Sequence, residues 1–441
     1  MKHDLKHIVE ASIYGNLGFF IGSGFSKAMT EGQSSKALTW FELIESCFQK
    51  FELHACKIDK IQDPLKKISE IITCLQKEKS LAEEEAVTFF KQKVCEVCKW
   101  HPSQELKENM KSAFKSLEPA WIITTNYDQV IETLVDNCQS LTPSSNFICQ
   151  KNLIPIYHIH GINSDHKNIV FTQEDYIKAI RPNNYQHTKL TLMLKESVVV
   201  FMGYRLNDIN VLQAIDLARN YYNTSEEALP IYIVDRKKGL EGILVSQKNN
   251  IFTIECAELK DFLQYLAFEK EAYEKRLNAQ LEKIKKIKNK ITSSSTLNLQ
   301  ACKEICEEII KITFCDEKLV NDNKFIGSVR NEIKNILDCM YESMWAKVAY
   351  GQRENEKNVL SIINFSLWAF NINTFLVTNV LFDTISKNLI DALEYLGEAH
   401  SRTISLENIE QNTLHRVVVY AQALDKQIAL RALNHMFKNS Q

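Results

Sequence analysis

Polar residues that can act on a nucleotide follow several apolar runs of this 441-residue sequence. Asn126 and Asp128 follow the run "AWIIT", and His158 and His160 lie in "IPIYHIHGIN". An Asn can orient a water molecule or a sugar hydroxyl, and a His at a strand end can act as a general base. Helix capping is the alternative role for Asn126 and above all for Asp128. For His158 we favour a hydrogen-bonded core residue, with a zinc ligand as the other alternative.

A glycine-containing loop follows the first apolar run, in "LGFFIGSGFSKA". Gly22, Ser23 and Gly24 lie where a strand end is expected to meet a helix start. Such a junction can hold a phosphate, because small residues allow close approach and free N–H groups favour an anion. The full dinucleotide pattern is absent, since Lys27 occupies the position of its third glycine, and the Walker pattern is absent too. Taken alone, the loop is more typical of a tight glycine turn.

Two later stretches also end apolar runs with residues of interest. In "SVVVFMGYRLNDINV" a strand is expected to end at Gly203 and a helix to start at Asp208. In "PIYIVDRK" the carboxylate of Asp235 lies at a strand end, where an acidic residue can bind ribose hydroxyls. An ordinary turn Asp explains Asp235 equally well.

The elements that must position these residues alternate between short apolar runs and helical patterns. This alternation predicts an α/β, Rossmann-like domain with a mostly parallel sheet. The predicted strands are Leu17–Ile21, Trp121–Thr124, Ile154–Ile159, Val198–Met202 and Ile231–Val234, with shorter ones at Ile169–Phe171 and Ile251–Ile254. Gly161 is expected to end the third of them, and His158 and His160 to face one side of it at period two.

Two domains are expected from the length and from the change of pattern along the chain. Residues 1–292 form the α/β domain, interrupted by a Lys/Glu-rich helical insertion at about 37–116. A long charged helix covers Asp261–Lys290, and "TSSST" (Thr292–Thr296) is a plausible linker to an all-α domain at 293–441. The lysines between Lys283 and Lys290 form either a solvated helix face or a contact surface for nucleic acid or a partner.

Composition restricts the class of protein. The formal net charge is −2, so bulk charge indicates neither a nucleic-acid nor a membrane partner. Twelve cysteines and an N-terminus without a signal-peptide core favour free thiols in a reducing cytoplasm.

The uncharged run Asn358–Phe382 is rich in Asn and predicts a buried helix with a break near "NINT", not a membrane span. Cys95, Cys98 and His101 in "CEVCKWH" lack a second Cys pair, so we expect no metal.

Taken in order, these stretches resemble the sirtuin family over about residues 10 to 260. The matching pieces are the loop "GSGFS", "TTNYD", the His160-Gly161 pair and the turn "GYRL". The sequence departs from the family pattern at Thr125, which replaces Gln, and at Arg205, which stands where Ser is expected. The family's structural zinc site is also missing.

The resemblance implies that NAD is bound as a substrate in the sirtuin manner. It assigns Asn126 and His160 as catalytic residues, Asn126 orienting the attacking water and His160 acting as base. The cofactor-binding residues that it implies are Gly22, Ser23, Gly24, Ser26, Thr125, Asp128, Gly203, Tyr204 and Asp235.

A zinc-less sirtuin-like domain fused to a helical domain resembles bacterial antiphage proteins that hydrolyse NAD. The short helical C-terminal region is most similar to the sirtuin-like partner of a HerA-type ATPase, which implies a homo-oligomer controlled by assembly. The alternatives are an NAD-dependent protein deacylase, a module that senses NAD or ADP-ribose without turnover, and a nuclease or DNA-binding component of a defence complex.

Overall fold

The computed structural model describes residues 5–54, 56–145, 148–179, 185–204, 206, 209–219, 229–248, 250–293, 297–313, 323–350, 355–372, 379–396 and 411–439. The chain divides into two compact units, residues 1–273 and 274–441. This division falls inside a helix that runs from Leu259 to Ser293. The domain boundary expected at residue 292 lies near the end of the same helix and stays a prediction.

One eight-stranded sheet forms the centre of the first unit. Its strands are β1 (Leu17–Ile21), β2 (Trp121–Thr124), β3 (Cys138–Leu141), β4 (Ile154–His158), β5 (Val198–Met202), β6 (Ile231–Arg236), β7 (Ile243–Lys248) and β8 (Ile251–Cys256). They are arranged in the order β3-β4-β2-β1-β5-β6-β8-β7. All neighbours are parallel except β7 and β8, so the predicted mostly parallel α/β sheet is confirmed.

Strand β1 is the central strand that positions the site. All five of its residues are buried, as expected for a parallel strand covered on both faces. It pairs with β2 on one side and with β5 on the other, so that Ile21 lies beside Thr124 and Met202. The chain order reverses at this strand, and the carboxyl ends of the strands around such a switch point form a crevice in open α/β sheets.

The differences from the predicted strands have local causes. Residues 169–171 form no strand; the N–H of Val170 instead donates to the carbonyl of His160 at 2.8 Å. β4 ends at His158 and not at Gly161, because the chain turns there: the N–H of Gly161 donates to the carbonyl of His158 at 3.0 Å. His160 therefore lies outside the strand and outside its alternation of faces. β3 and β7 were not predicted, and their polar residues suit the two sheet edges that they occupy.

Helices that begin in the first unit flank the sheet and supply the predicted insertion. They are α1 (Lys6–Tyr14), α2 (Ser23–Met29), α3 (Trp40–Gln49), α4 (Pro64–Lys79), α5 (Glu83–Val97), α6 (Gln104–Leu117), α7 (Val130–Leu134), α8 (Gln173–Ala179), α9 (Tyr185–Glu196), α10 (Ile209–Arg219) and α11 (Leu259–Ser293). The expected insertion corresponds to α3–α6. Its apolar faces join the main core beside β1 and β2 through residues such as Ile44, Phe90 and Phe114, all fully buried.

Every described element of the second unit is a helix, in agreement with the predicted all-α region. After α11 these are Leu299–Thr313, Asn323–Tyr350, Asn355–Ile372, Asn379–Leu396, Gln411–Ala423 and Gln427–Asn439. In the uncharged run, Val359, Ile362 and Phe365 are fully buried, and the helix that holds them ends at Ile372. The part of the "NINT" break after that residue lies outside the described residues, as does the linker from residue 294 to 296. No described helix is both long enough and apolar enough to cross a bilayer.

Candidate active site

A cleft of about 1340 Å³ opens at the carboxyl ends of the central strands. Nine of the eleven predicted site residues line it: Ser23, Gly24, Thr125, Asn126, Asp128, His160, Gly203, Tyr204 and Asp235. The other two, Gly22 and Ser26, contact residues of this lining from behind. Arg205 and Asp208 lie outside the described residues. The fold therefore brings the separate sequence motifs together, while the role of each residue stays a prediction.

The glycines at the start of α2 permit a close approach of two backbone segments. A Cβ added to Gly24 would lie 2.8 Å from the carbonyl oxygen of Gly203, and one added to Gly22 would lie 2.6 Å from the same oxygen. Gly203 itself has φ +60°, and its Cβ would lie 2.0 Å from the nitrogen of Phe25. The N–H of Gly24 donates to Gly203 at 2.9 Å, so this group is already occupied and is not free for a phosphate. These glycines therefore hold α2 against the end of β5.

Asn126 is fixed by hydrogen bonds to three of its polar groups. Its N–H donates to Thr124 Oγ1 at 3.0 Å, and its carbonyl faces His158 Nδ1 at 3.0 Å. Its side-chain Nδ2 donates to Ser26 Oγ at 3.0 Å, and that hydroxyl donates in turn to Asp128 Oδ1 at 2.9 Å. Because Asp128 accepts the hydroxyl proton, Ser26 Oγ accepts from the amide, which decides the orientation of the carboxamide. Within the described chain nothing donates to Asn126 Oδ1, so this atom is the acceptor left for a ligand.

Asp128 lies just before the start of α7 and borders the cleft. Its Oδ1 accepts the N–H of Val130 at 3.0 Å, but the N-cap position of α7 is Gln129, so Asp128 does not cap this helix in the usual sense. The residue is 3% exposed, and burial raises the pKa of its carboxyl to about 6 in spite of the hydrogen bonds from Val130 and Ser26. The carboxylate that orients Ser26 is therefore present at neutral pH and is lost in mild acid.

His158 is a core residue, as favoured from the sequence. It is fully buried at the end of β4, and its Nε2 lies 2.6 Å from Glu132 Oε1 on α7. Burial lowers the pKa of His158, but the hydrogen bond and the charge of Glu132 outweigh this effect and raise it above its usual value. In Glu132, burial raises the pKa of the carboxyl, but the hydrogen bond and the charge of His158 lower it by more. The pKa of Glu132 is therefore below its usual value.

His160 lies in the turn after β4 and borders the cleft. The turn requires Gly161, which has φ +85° and whose Cβ would lie 2.8 Å from the carbonyl oxygen of Asn168. The imidazole of His160 is 5% exposed and meets the ring of Tyr176 edge-on, with the ring centroids 5.3 Å apart. The helix that carries Tyr176 is fixed by Asp175, which pairs with buried Lys91 of the insertion at 2.8 Å.

The insertion and α8 contribute residues to the cleft that were not predicted from the sequence. Trp40, Trp100 and Tyr176 supply aromatic walls. Lys27 of α2 also borders the cleft and is bound by both oxygens of Glu42, at 2.7 and 2.9 Å. Trp40, Trp100 and Tyr176 follow no predicted strand, whereas the predicted site residues do. The aromatic residues at the start of α3 and after α5 are the sequence features that indicate a wall of the cleft.

Basic residues at the Asp235 side of the cleft are paired with carboxylates. Nη2 of Arg236 lies 2.6 Å from both Glu31 and Glu258. Lys238 approaches Glu31 at 3.4 Å. Asp235 itself is exposed at the end of β6, where a sugar diol can reach it.

The cysteine pair discussed above lies at the end of α5. Cys95 and Cys98 are buried free thiols, and His101 is exposed. Burial raises the pKa of the Cys95 thiol to about 12, so it stays protonated at neutral pH. Among the described residues, no cluster of three or more His, Cys, Asp or Glu side chains has the arrangement of a metal site.

Comparison with known families bears directly on this cleft. Residues 120–254 match the family model described as SIR2-like domain. The match runs from the start of β2 into β8 and contains Asn126, His160 and Gly203, whereas the loop at Gly22–Gly24 precedes it. The match supports a sirtuin-like domain and an NAD-related enzymatic activity, in agreement with the mostly parallel sheet. No curated protein shows significant similarity to the chain.

Proposed function

We propose that the protein is an NAD+ glycohydrolase, which converts NAD+ and water to nicotinamide, ADP-ribose and a proton. The observation that carries this proposal is the orientation of Asn126. Its Nδ2 is committed to Ser26, so Oδ1 is the atom that Asn126 offers to the cleft that His160 also borders. A hydrogen-bond acceptor beside a histidine is suited to directing a water molecule or a ribose hydroxyl.

Each half of the reaction has residues suited to it. Cleavage of the glycosidic bond builds positive charge on the ribose carbon as nicotinamide leaves. Asn126 Oδ1 accepts a hydrogen bond from the water and orients its lone pair toward that carbon. His160 takes the proton from the water or from a ribose hydroxyl. The rigid network behind Asn126 means that little reorganisation is needed during the reaction.

The remainder of the dinucleotide is assigned to the other walls of the cleft. Ser23, Gly24 and Tyr204 border the region proposed for the phosphates, and Asp235 accepts the hydroxyls of the adenosine ribose. The aromatic residues Trp40 and Trp100 are suited to contact with the planar rings.

The cellular role that we propose is depletion of NAD during phage infection, in the cytoplasm. We further propose that the chain forms a homo-oligomer and that a HerA-type partner ATPase controls the activity through assembly. Support for this part comes from the sequence resemblance and from the helical second unit.

The test is release of nicotinamide and ADP-ribose when the purified chain is incubated with NAD. The reaction is run over a range of protein concentrations, with and without the partner ATPase, and chromatography measures the products. We expect Asn126→Ala and His160→Ala to lower kcat at least about 100-fold, as losses of catalytic groups do. His54→Ala is the matched control, because His54 is exposed and lies outside the cleft lining. Full turnover in both cleft variants would show that the site is wrongly assigned.

Other products would favour the other classes of function. Nicotinamide release only in the presence of an acylated peptide would indicate a deacylase. Calorimetric binding of ADP-ribose without any turnover in either assembly state would indicate a sensing module. DNA binding that weakens steeply with salt would indicate a nucleic-acid component.

A further inference from the structure

A chain of polar side chains lies behind Asn126, with His158 fully buried and Glu132 and Ser140 half-buried, and none of these three residues borders the cleft. Ser140 on β3 donates to Glu132 Oε1 at 2.6 Å, and the same oxygen lies 2.6 Å from Nε2 of His158. On the other side of the ring, Nδ1 of His158 lies 3.0 Å from the carbonyl oxygen of Asn126. The chain therefore connects the edge of the sheet with the backbone of the residue proposed to orient water.

The partners of the imidazole decide its protonation. A carbonyl oxygen carries no hydrogen, so the bond to Asn126 requires a proton on Nδ1. The pKa of the Glu132 carboxyl is lowered, so this group is ionised, and both the Ser140 hydroxyl and the second ring nitrogen donate to its Oε1. The charged groups that act on the ring are Glu132 of α7 and, at longer range, Asp128 after β2, and both are acidic. The geometry thus describes an imidazolium held by a carboxylate.

We propose that His158 and Glu132 are positioning residues for Asn126. The imidazolium fixes the carbonyl of Asn126, while Thr124 fixes its N–H and Ser26 its carboxamide. Without the imidazole, the carbonyl of Asn126 loses its hydrogen bond. The backbone at Asn126 can then move, and Oδ1 is no longer held toward the cleft. This inference rests on the function proposed for Asn126.

Substitution of His158 tests whether this residue positions Asn126 or only stabilises the fold. His158→Leu fills the space without a donor, and we expect kcat for NAD to fall about 10- to 100-fold while KM stays within about threefold, because small misplacements of a reacting group cost this much. Glu132→Ala removes the partner of the imidazole and is expected to act in the same direction. Glu132→Gln keeps the shape and a hydrogen-bonding partner for the ring, so it should restore kcat to within about threefold of the unaltered enzyme.

Lys270→Met is the matched control for the loss of a buried cation. Lys270 is 2% exposed and pairs with Glu118 at 3.2 Å, and neither residue borders the cleft. We expect this variant to lower the thermal midpoint and to leave kcat and KM unchanged. A purely structural role for His158 predicts the same result for His158→Leu, which would overturn the proposal.

A second measurement does not depend on turnover. The carboxamide NH₂ signals of Asn126, identified by their loss in Asn126→Ala, report the order of its side chain in a ¹H–¹⁵N spectrum. We expect sharp signals in the unaltered protein and in Glu132→Gln, and broadened or shifted signals in His158→Leu and Glu132→Ala. Unchanged signals in a folded variant would overturn the proposal.

The two measurements distinguish the possible failures. If the unaltered enzyme does not hydrolyse NAD in any assembly state, the proposed function fails and the carboxamide signals alone decide the positioning proposal. If it hydrolyses NAD and the folded variants keep its kcat, the proposed function stands and the positioning proposal fails. If His158→Leu does not fold, Glu132→Ala decides.

Discussion

At the scale of single residues, the main feature of the site is that hydrogen bonds hold Asn126 in one orientation. Asn126 is bound through its N–H, its carbonyl and its Nδ2, to Thr124, His158 and Ser26. Each of these partners is itself buried. Immobilising the group before the ligand arrives removes an entropic cost from the reaction.

Loss of the Ser26 hydroxyl should free the carboxamide without emptying the cleft. We expect Ser26→Ala to lower kcat about tenfold and to leave the affinity for ADP-ribose nearly unchanged, because Nδ2 loses its acceptor and the amide can rotate. Steady-state kinetics together with calorimetry measure the two effects. A variant that loses affinity and keeps kcat would place Ser26 at the dinucleotide and not at Asn126.

The titration of Asp128 should appear in the stability of the protein. Burial raises the pKa of this carboxyl from 3.8 in the unfolded chain to about 6 in the folded one. The group is protonated in both states below pH about 4, so its contribution to stability is full there and is lost as the pH rises through about 6. Asp128→Asn cannot ionise, so its free energy of unfolding relative to the unaltered protein should rise by about 2 kcal/mol between pH 4 and pH 7.

Urea unfolding at a series of pH values measures this difference. Asp59→Asn is the control, because Asp59 is exposed. A difference between Asp128→Asn and the unaltered protein that does not change with pH would contradict the prediction.

At the scale of elements, α2 packs closely against the end of β5 because Gly22 and Gly24 lie on one side of this contact and Gly203 on the other. We expect Gly203→Ala to destabilise the protein by about 1 kcal/mol for its positive φ and by about 2 kcal/mol more for the overlap with Phe25. Gly239→Ala is the matched control, since Gly239 has φ +78° and no atom within 4 Å of an added Cβ. Thermal unfolding of both variants measures how much more stability is lost at Gly203, where the added Cβ meets Phe25, than at Gly239. Equal losses of stability would show that backbone strain alone accounts for the effect.

The same elements show what the sequence could predict. The central strands were predicted because burial on both faces produces continuous apolar runs such as "LGFFI" and "SVVVFM". Strands β3 and β7 were missed because an edge strand needs no such run. The cleft residues that end apolar strands were found, but Trp40, Trp100 and Tyr176 were not, because tertiary packing of the insertion and of α8 places them there. The pairing of His158 with Glu132 depends on the distance between β4 and α7, which no local pattern encodes.

At the scale of the whole molecule, the described residues that line the cleft all belong to the first unit. Its lining residues run from Ser23 to Leu259. A chain shortened to residues 1–293, which keeps all of α11, should therefore bind ADP-ribose with an affinity within about threefold of that of the full chain, since it keeps every described lining residue. Calorimetry on both chains measures this, with circular dichroism as the control for folding. A much weaker affinity in a folded short chain would assign the second unit a direct part in binding.

The position of β1 also has a consequence for synthesis of the protein. This strand comes first in the chain, but its two neighbours are β2, about a hundred residues later, and β5, which begins at Val198. Such distant pairings form late in folding. A nascent chain on the ribosome cannot assemble the cleft before Gly203 and Tyr204 have emerged, and a product of interrupted translation that stops earlier lacks one of its walls. The topology thus delays the appearance of a working site until most of the first unit has been made.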